Sequence, residues 1–172
     1  LIHWEGAEHF DVALVSLPFE QRVFKKKTFV SFSAVVAVSK NDPLHIKKII
    51  SIEDLKNKNL ISLDPTGIFQ TSLRKKFEEH NIEPIVKIQT TSMLQSAQMV
   101  KNGIGIAIID PFIGHIMSKN DILIKPLEPS INFDYAYIWP EGRELSALAK
   151  EFILEISNIS KEMWGNYGRI LS

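Results

Sequence analysis

The chain has 172 residues, of which 45% are hydrophobic and 23% charged, an ordinary balance for a globular protein that excludes disorder. Twenty basic residues offset twenty acidic ones, whereas a surface that binds phosphates normally carries a basic excess, so we do not expect this segment itself to hold DNA. The absence of cysteine excludes a disulfide framework and a thiolate zinc site and fits any compartment.

Nothing in the sequence predicts a membrane segment. The longest apolar runs, such as Ile104–Ile109, are too short to cross a bilayer. No signal peptide is recognisable, but the chain starts at Leu1 instead of Met, within an amphipathic stretch, Leu1–His9, that is typical of the end of a helix. We therefore expect the natural N terminus to lie upstream.

The first third of the chain predicts two extended stretches and a short helix. The run from Asp11 to Leu17 is apolar and β-branched and stops at a proline, which indicates a buried strand. A second extended stretch runs from Phe29 to Ser39 and ends at Asn41-Asp-Pro43, a turn signal. Ser51-Ile-Glu-Asp54 has the form of a capping box that opens a short helix through Leu55.

From Leu60 onward, strands alternate with helices. We predict strands at Leu60–Leu63, Pro84–Gln89, Ile104–Ile109, Ile122–Ile124 and Tyr135–Trp139. Helices are predicted around Phe69, Leu73 and Phe77, at Ser92–Asn102 with Gly103 as the helix-ending residue, and after Asp110 and Pro111, which suit the N-cap and N1 positions.

The last helix has the clearest periodicity. One apolar stripe contains Leu145, Leu148, Phe152, Ile153, Ile156 and Ile159. At ~1.5–3 kcal/mol for each buried large side chain, its burial would contribute on the order of 10 kcal/mol as an upper bound. We expect this stripe to pack on a core.

The alternation of strands and helices predicts an α/β fold with a mostly parallel sheet covered on both faces, because parallel neighbours need crossover connections. In such sheets ligands bind at the carboxyl ends of the strands, against the N termini of the following helices. Candidate binding residues are therefore sought at these junctions.

Signals for catalysis, metals and cofactors are weak. The chain lacks a G-x-S-x-G nucleophile elbow, and its five histidines have no metal-ligand spacing, so we predict no catalytic residue, no metal and no cofactor. Gly103-x-Gly105 comes after a helix and before a strand, the reverse of a dinucleotide fingerprint, and indicates a helix end with a tight turn. Lys25-Lys26-Lys27 is interpreted as a solvated turn between two strands.

Four junctions carry polar groups suited to a ligand. Asp64-Pro-Thr-Gly67 and Gln89-Thr-Thr-Ser92 each precede a helix, where free backbone N–H groups attract anions. Asp110 follows a third strand, and Ser39 ends the long apolar run. Plain helix capping explains each junction taken alone. Together they predict a site for a small zwitterion, with its carboxylate on the Thr/Ser helix starts and its amine on Asp110.

The order of these segments resembles the effector-binding domain of LysR-type transcriptional regulators. The resemblance is carried by Phe10-Asp-Val-Ala-Leu-Val15, Ser39-Lys-Asn-Asp-Pro-Leu44, Ile52-Glu-Asp-Leu55, Leu60-Ile-Ser-Leu63, Thr91-Ser92, Met99-Val-Lys-Asn-Gly-Ile-Gly-Ile-Ala107 with Pro111, and the helix from Ser146 to Phe152. Asp42 stands where the family usually has histidine. Ile109-Asp-Pro-Phe112 looks like the branch of lysine and opine-catabolism regulators.

The resemblance implies a two-lobed, type II periplasmic-binding-protein-like fold. Lobe 1 would hold residues 1–42 and 138–172 and lack its first strand and helix, while lobe 2 would hold residues 43–137. A small amino-acid-like or opine-like effector would bind in the interlobe cleft. The family's cleft-lining positions, carried over to this sequence, are Ser39, Thr66, Gly67, Thr91, Ser92 and Asp110.

The resemblance also implies the partners of the full-length protein. A winged helix-turn-helix, absent from this chain, would bind DNA, and the protein would act in the cytoplasm as a homodimer or tetramer. A chain without its first strand would leave a sheet edge exposed, which also predicts self-association.

Two other classes share the two-lobed architecture. A transport-type solute-binding protein would need a signal peptide upstream of Leu1. An enzyme of this architecture would need clustered Arg and Lys or a cofactor-bearing cysteine, whereas this chain has no cysteine and no arginine in a predicted cleft loop. The sequence favours the regulator.

Overall fold

A computed structural model describes residues 10–118, 122–164 and 168–170 of the chain. The helix end expected at Leu1–His9 lies outside these residues. The chain divides into two compact units, one in the ranges 1–31 and 134–172 and the other formed by Phe32–Phe133. The family resemblance placed residues 32–42 in lobe 1 and residues 134–137 in lobe 2, whereas the former lie in the second unit and the latter in the first.

The described residues form ten strands, four α-helices and two short 3-10 helices. The strands are β1 Ala13–Ser16, β2 Phe24–Ser33, β3 Val35–Ser39, β4 Ile50–Ser51, β5 Asn59–Leu63, β6 Ile85–Thr90, β7 Ala107–Ile109, β8 Ile122–Glu128, β9 Asn132–Pro140 and β10 Gly168–Ile170. The α-helices are α1 Ile68–Glu79, α2 Met93–Lys101, α3 Pro111–Met117 and α4 Ala147–Trp164; the 3-10 helices are Pro43–Ile46 and Ile52–Leu55.

The sheet of the first unit has the strand order β1, β9, β2, β10. β1 and β9 are antiparallel, with Ala13 opposite Ile138 and Ser16 opposite Tyr135. The expectation of mostly parallel strands does not hold for this pair. The alternation of strands and helices on which that expectation rested belongs to the second unit.

The stretch predicted as one strand at Phe29–Ser39 is two strands, β2 and β3, which lie in different sheets. The expected turn at Lys25–Lys27 is also wrong, because β2 already begins at Phe24 and the three lysines are exposed positions within it. Phe24 is buried and stacks on Phe10 with ring centroids 5.5 Å apart, which explains why the strand starts this early.

Helix α4 buries a face that overlaps the predicted stripe only at Ile153 and Ile156. Its inward positions are Ala149, Ile153, Ile156 and Ser160, while Leu148 is 74% exposed and Phe152 and Ile159 are also exposed. The prediction is wrong for these three residues. Two neighbouring stripes of this helix are apolar, so periodicity alone did not distinguish them.

The second unit contains a four-stranded sheet of order β4, β8, β3, β7 and a parallel pair, β5 and β6. A parallel bridge between Leu60 and Ile106 places β5 beside the segment that enters β7. β3 is antiparallel to both β7 and β8, and the other five strands share one direction. The mostly parallel sheet predicted from the sequence is therefore found in this unit.

The core of the second unit joins this sheet to α1 and to both 3-10 helices. The buried residues are Ala34, Val36, Val38, Leu44, Ile50, Ile52, Leu55, Leu60, Leu73, Phe77, Ile106, Ile108, Leu127 and Ile131. The capping box predicted at Ser51 is present, since the Ser51 amide donates to Oδ2 of Asp54 over 3.0 Å.

The two glycines at the end of α2 have separate structural roles. Gly103 has a φ of +71°, the left-handed conformation expected after a helix. A Cβ on Gly105 would collide with the backbone oxygen of Asn59, so only glycine allows this close approach of the chain to β5. The interpretation of this pair as a helix end and tight turn is confirmed.

Candidate functional site

Three of the four predicted junctions lie along one edge of the sheet in the second unit. β5, β6 and β7 run in the same direction, and β5 lies between the other two. Their carboxyl ends therefore share an edge, and α1, α2 and α3 each begin there. Thr66 and Gly67 follow β5, Thr91 and Ser92 follow β6, and Asp110 follows β7.

The first junction is a turn organised by Asp64. Its Oδ1 accepts hydrogen bonds from the amide of Thr66 at 2.8 Å and from the Thr66 hydroxyl at 2.7 Å. These two hydrogen bonds hold the pKa of Asp64 below its ordinary value, and the bond from the hydroxyl has the larger effect. Gly67 is the N-cap of α1 and offers no side-chain acceptor to the first amides of that helix.

The second junction contains hydroxyl groups that form hydrogen bonds with backbone amides and with the first turn of α2. Ser92 is the N-cap, and its Oγ accepts from the amide of Gln95 at 3.5 Å. The hydroxyl of the buried Thr90 donates to Oε1 of Gln95 at 2.6 Å and accepts from the Ser92 amide at 3.2 Å. Thr91 is exposed. The sequence pattern predicts Thr91 and Ser92 as ligand-binding residues, whereas among residues 90–92 the buried one is Thr90.

The third junction holds a buried carboxylate. Asp110 is only 7% exposed and is the N-cap of α3, with Oδ1 accepting from the amide of Ile113 at 2.8 Å. Burial raises the pKa of Asp110 above its ordinary value, against the opposing effect of hydrogen bonds from the amides of Ile113 and Phe112. Within residues 10–118 and 122–164, no basic side chain forms an ion pair with this carboxylate.

A methionine connects the second and third junctions directly. Met93, the first residue of α2, accepts a hydrogen bond at its Sδ from the backbone amide of Asp110, with the two atoms 3.4 Å apart. The side chain of Met93 is half-buried. Sequence reasoning placed Met93 only on an apolar helix face and did not find this contact.

Ser39 lies away from the other candidates. It ends β3, which runs antiparallel to its neighbours, and it pairs with Ile122 at the beginning of β8. The end of β7 pairs instead with the beginning of β3, at Val35 opposite Ile109. The expectation that Ser39 shares an edge with Asp110 is wrong, because the rule about strand ends applies only to strands of one direction.

Sequence reasoning also missed polar groups of the second unit near this edge. Ser33, which precedes β3, donates from its hydroxyl to Oδ1 of Asn132 at 2.7 Å. Ser33 lies within the stretch predicted as a single strand, Phe29–Ser39, so periodicity did not single it out.

A cavity of about 720 Å³ lies between α1 and β6. It contains Arg74, which is paired with Glu78 at 3.9 Å, and it reaches Ser62, Pro65 and Gln89 beside the first two junctions. An arginine thus lies near the predicted site, on helix α1 and not in one of the predicted cleft loops.

Metal binding and membrane crossing find no support in the part of the chain that is described. No cluster of three or more histidine, aspartate or glutamate side chains arranged to hold a metal ion occurs among those residues. No helix there combines the length and hydrophobicity that a bilayer crossing requires.

The family described as the LysR substrate binding domain matches residues 2–158, and the chain belongs to this family. The transcriptional activator protein LysR of Escherichia coli K12 is 24% identical over 152 residues, which are 88% of this chain and 49% of that protein. The regulatory protein NocR of Agrobacterium tumefaciens T37 is 22% identical over 145 residues, 84% of this chain and 48% of its own length. The chain thus spans about half the length of these curated relatives.

Solved structures share the fold. The regulatory domain of Synechocystis PCC6803 CcmR in complex with 2-PG superposes with a TM-score of 0.76 at 20% identity, covering 94% of this chain and 78% of that one. The effector-binding domain of QuiR in complex with shikimate gives 0.72 at 19% identity, covering 91% and 75%. The predicted fold class, that of LysR effector-binding domains, is confirmed. The family is one of binding domains of regulators and not an enzyme family.

Proposed function

We propose that this chain is the effector-sensing domain of a LysR-type transcriptional regulator and that it binds a small amino-acid-like or opine-like molecule without catalysing a reaction. The full-length protein would bind DNA through a winged helix-turn-helix, act as a homodimer or tetramer, and work in the cytoplasm. The family match supports this proposal, as do the names of LysR and NocR, which are regulatory proteins. Two solved structures of the same fold are complexes with small molecules, 2-PG and shikimate.

The single observation that carries the choice of ligand is the environment of Asp110. Its carboxylate is buried at the end of β7, and burial raises its pKa because an ionised group loses solvation there. A protonated amine placed against it would restore the lost electrostatic stabilisation through a charge-assisted hydrogen bond. A ligand with an ammonium group is therefore the best chemical complement to this position.

The other end of the ligand is assigned from the helix starts. α2 is capped by the side chain of Ser92, whereas the N-cap of α1 is Gly67, which has no side-chain acceptor. The first amides of α1, which follow Thr66 and its bonds to Asp64, are thus the better place for a carboxylate, because helix N termini carry partial positive charge. Ser92 and Thr91 would line the neighbouring part of the same edge, at the end of β6. Together these groups suit a zwitterion.

Calorimetric titration tests the proposal. The full chain is titrated with L-lysine, L-arginine and opines derived from them, and then with L-glutamate as an acidic comparison. Asp110→Asn keeps a good N-cap and nearly the same volume but removes the charge. We expect it to weaken binding of the best cationic ligand by about 10- to 100-fold, the range for a hydrogen bond to a charged group.

Ser39→Ala is the matched control, because Ser39 is a similarly buried polar residue at the opposite edge of the same sheet. Its affinity should equal that of the unmodified chain. The proposal fails if Asp110→Asn binds every probe as tightly as the unmodified chain does, or if L-glutamate is preferred to the cationic probes.

A further inference from the structure

We propose that the cavity between α1 and β6 is a second ligand site, one that takes a small monocarboxylate with an apolar body. The cavity holds about 720 Å³, a volume typical of pockets for small molecules. Its lining lies wholly within residues 62–89 and includes none of the six residues predicted as effector contacts. The proposal therefore concerns a separate site and does not depend on the proposed function.

The cavity exists because α1 covers β5 and leaves one face of β6 open. Leu73 and Phe77, the buried residues of α1, belong to the same core cluster as Leu60 of β5. Among the described residues, none of β6 belongs to that cluster, and Val86 is 42% exposed. Val86, Phe77 and Ile82 form an apolar surface in the cavity, against which the body of a ligand would pack.

A bulge in β6 brings a polar side chain to the same cavity. Leu60 pairs with Val86 and Ser62 with Gln89, so β6 has one residue more than β5 between these two pairs. Alternation alone would put Val86 and Gln89 on opposite faces of the sheet, whereas the extra residue places them on one face. Both line the cavity, as does the buried Ser62. Bulges are frequent next to active sites, where they redirect a side chain in this way.

The polar groups of the lining are available to a ligand. The side-chain amides of Gln70, Asn81 and Gln89 have no hydrogen-bond partner among the described residues. The guanidinium of Arg74 has one partner there, since its Nε lies 3.9 Å from Oε1 of Glu78, beyond hydrogen-bond distance. Both side chains are more than half exposed, so this pair is weak and readily exchanged for a ligand carboxylate, which a guanidinium can bind through two parallel hydrogen bonds.

The charges around the cavity favour a ligand with a single negative group. Among the described residues that line it, one is basic, Arg74, and two are acidic, Glu78 and Glu83. A monocarboxylate would take the place of Glu78 as the partner of Arg74. A second carboxylate on the ligand, or a phosphate, would be repelled by the two glutamates. The neutral amides would donate to or accept from a carbonyl or hydroxyl group elsewhere on the ligand.

Chemical-shift titration by NMR tests the site on the full chain. The probes share one apolar body and differ in charge: 3-phenylpropionate, the neutral 3-phenylpropanamide and the dicarboxylate phenylsuccinate. We expect 3-phenylpropionate to bind with the millimolar Kd of so small a molecule and to shift the amide signals of Val86 and Gln89. It should bind about tenfold more tightly than either of the other two probes, because only it forms a charged hydrogen bond without repulsion.

Three variants identify the groups involved. Arg74→Gln should weaken binding of 3-phenylpropionate about tenfold, to the level of the amide, and leave binding of the amide nearly unchanged. Val86→Trp fills the cavity from an exposed position and should abolish binding of all three probes. If that variant does not fold, Gln89→Trp takes its place, since Gln89 is also exposed. Lys75→Gln is the matched control, because it removes an exposed positive charge from the same helix outside the lining.

Each outcome bears on this site alone. The proposal is overturned if no probe shifts the signals of Val86 and Gln89, or if binding is the same in Arg74→Gln and Val86→Trp as in the unmodified chain. Equal losses in Arg74→Gln and Lys75→Gln would mean general charge attraction and would overturn it as well, as would a preference for phenylsuccinate. Since Asp110 is not part of the lining, none of these results affects the proposed function, and the titrations of Asp110→Asn do not affect this site.

Discussion

Oδ1 of Asp110 accepts the amide hydrogen of Ile113 at 2.8 Å, so one carboxylate both caps α3 and lies at the carboxyl end of β7. Pro111 follows directly as the first residue of the helix. Asp-Pro is a common way to begin a helix, and by itself it indicates only capping. Burial of the carboxylate, without an ion pair to a basic side chain of the described residues, is what adds a candidate binding role.

Two substitutions of Asp110 should distinguish the contribution of helix capping to stability from the contribution of the negative charge. Asp110→Ala removes the acceptor for the Ile113 amide and should lower the free energy of unfolding by about 1 kcal/mol, the usual cost of losing a cap. Asp110→Asn retains an acceptor and should be the more stable of the two variants. Urea unfolding at neutral pH measures both, and equal stability of the two variants would contradict the assigned cap.

The pH dependence of stability should carry the signature of Asp110. Because burial raises its pKa in the folded protein above the unfolded value, the folded state binds more protons within the window between the two values. The contribution of Asp110 to the free energy of unfolding is therefore most favourable below the ordinary pKa, falls as pH rises through the window, and is constant above the folded-state pKa.

This contribution is obtained by subtracting the unfolding free energy of Asp110→Asn from that of the unmodified chain in a pH series. The difference should decrease from acid toward neutral pH. A difference that increases with pH would mean that the carboxylate is stabilised as an anion, contrary to its burial.

The two glycines that follow α2 should respond very differently to alanine. Gly105→Ala places a methyl group against the backbone oxygen of Asn59, which is fixed in β5, so we expect a loss of roughly 3 kcal/mol or more. Gly103→Ala meets no atom within 4 Å and should cost about 1–2 kcal/mol, for the left-handed conformation only. Thermal or urea unfolding ranks them, and a Gly103 variant as damaged as the Gly105 variant would refute the steric explanation.

Helix α4 offers a test of which apolar stripe is buried. Leu148 is 74% exposed, so Leu148→Ala should change the free energy of unfolding by less than about 0.5 kcal/mol. Ile156 is half-buried, and Ile156→Ala should cost about 1 kcal/mol or more. Urea unfolding of both variants tests whether Leu148 belongs to the buried face together with Ile156. A larger effect at Leu148 would restore the stripe predicted from periodicity.

The sequence by itself determined most of the second unit. Short-range periodicity and capping, which depend on neighbouring residues in the chain, predicted strand β5 and helices α1 and α2. The inward positions Leu73 and Phe77 of α1 and the end of α2 at Gly103 follow from the same signals. The order of the segments was sufficient to identify the family, because the resemblance rested on spacing along the chain. The family match over residues 2–158 confirms this identification.

Tertiary structure decided which of these groups meet. Ser39 and Asp110 both end strands, but β3 runs against β7, and strand direction within a sheet is set by long-range pairing that local sequence does not encode. The contact of Met93 with Asp110 and the burial of Thr90 arise in the same way, from residues brought together by the β5, β6 and β7 arrangement. The choice between two apolar faces of α4 was likewise made by what packs against it, since both faces satisfy the helical period equally well.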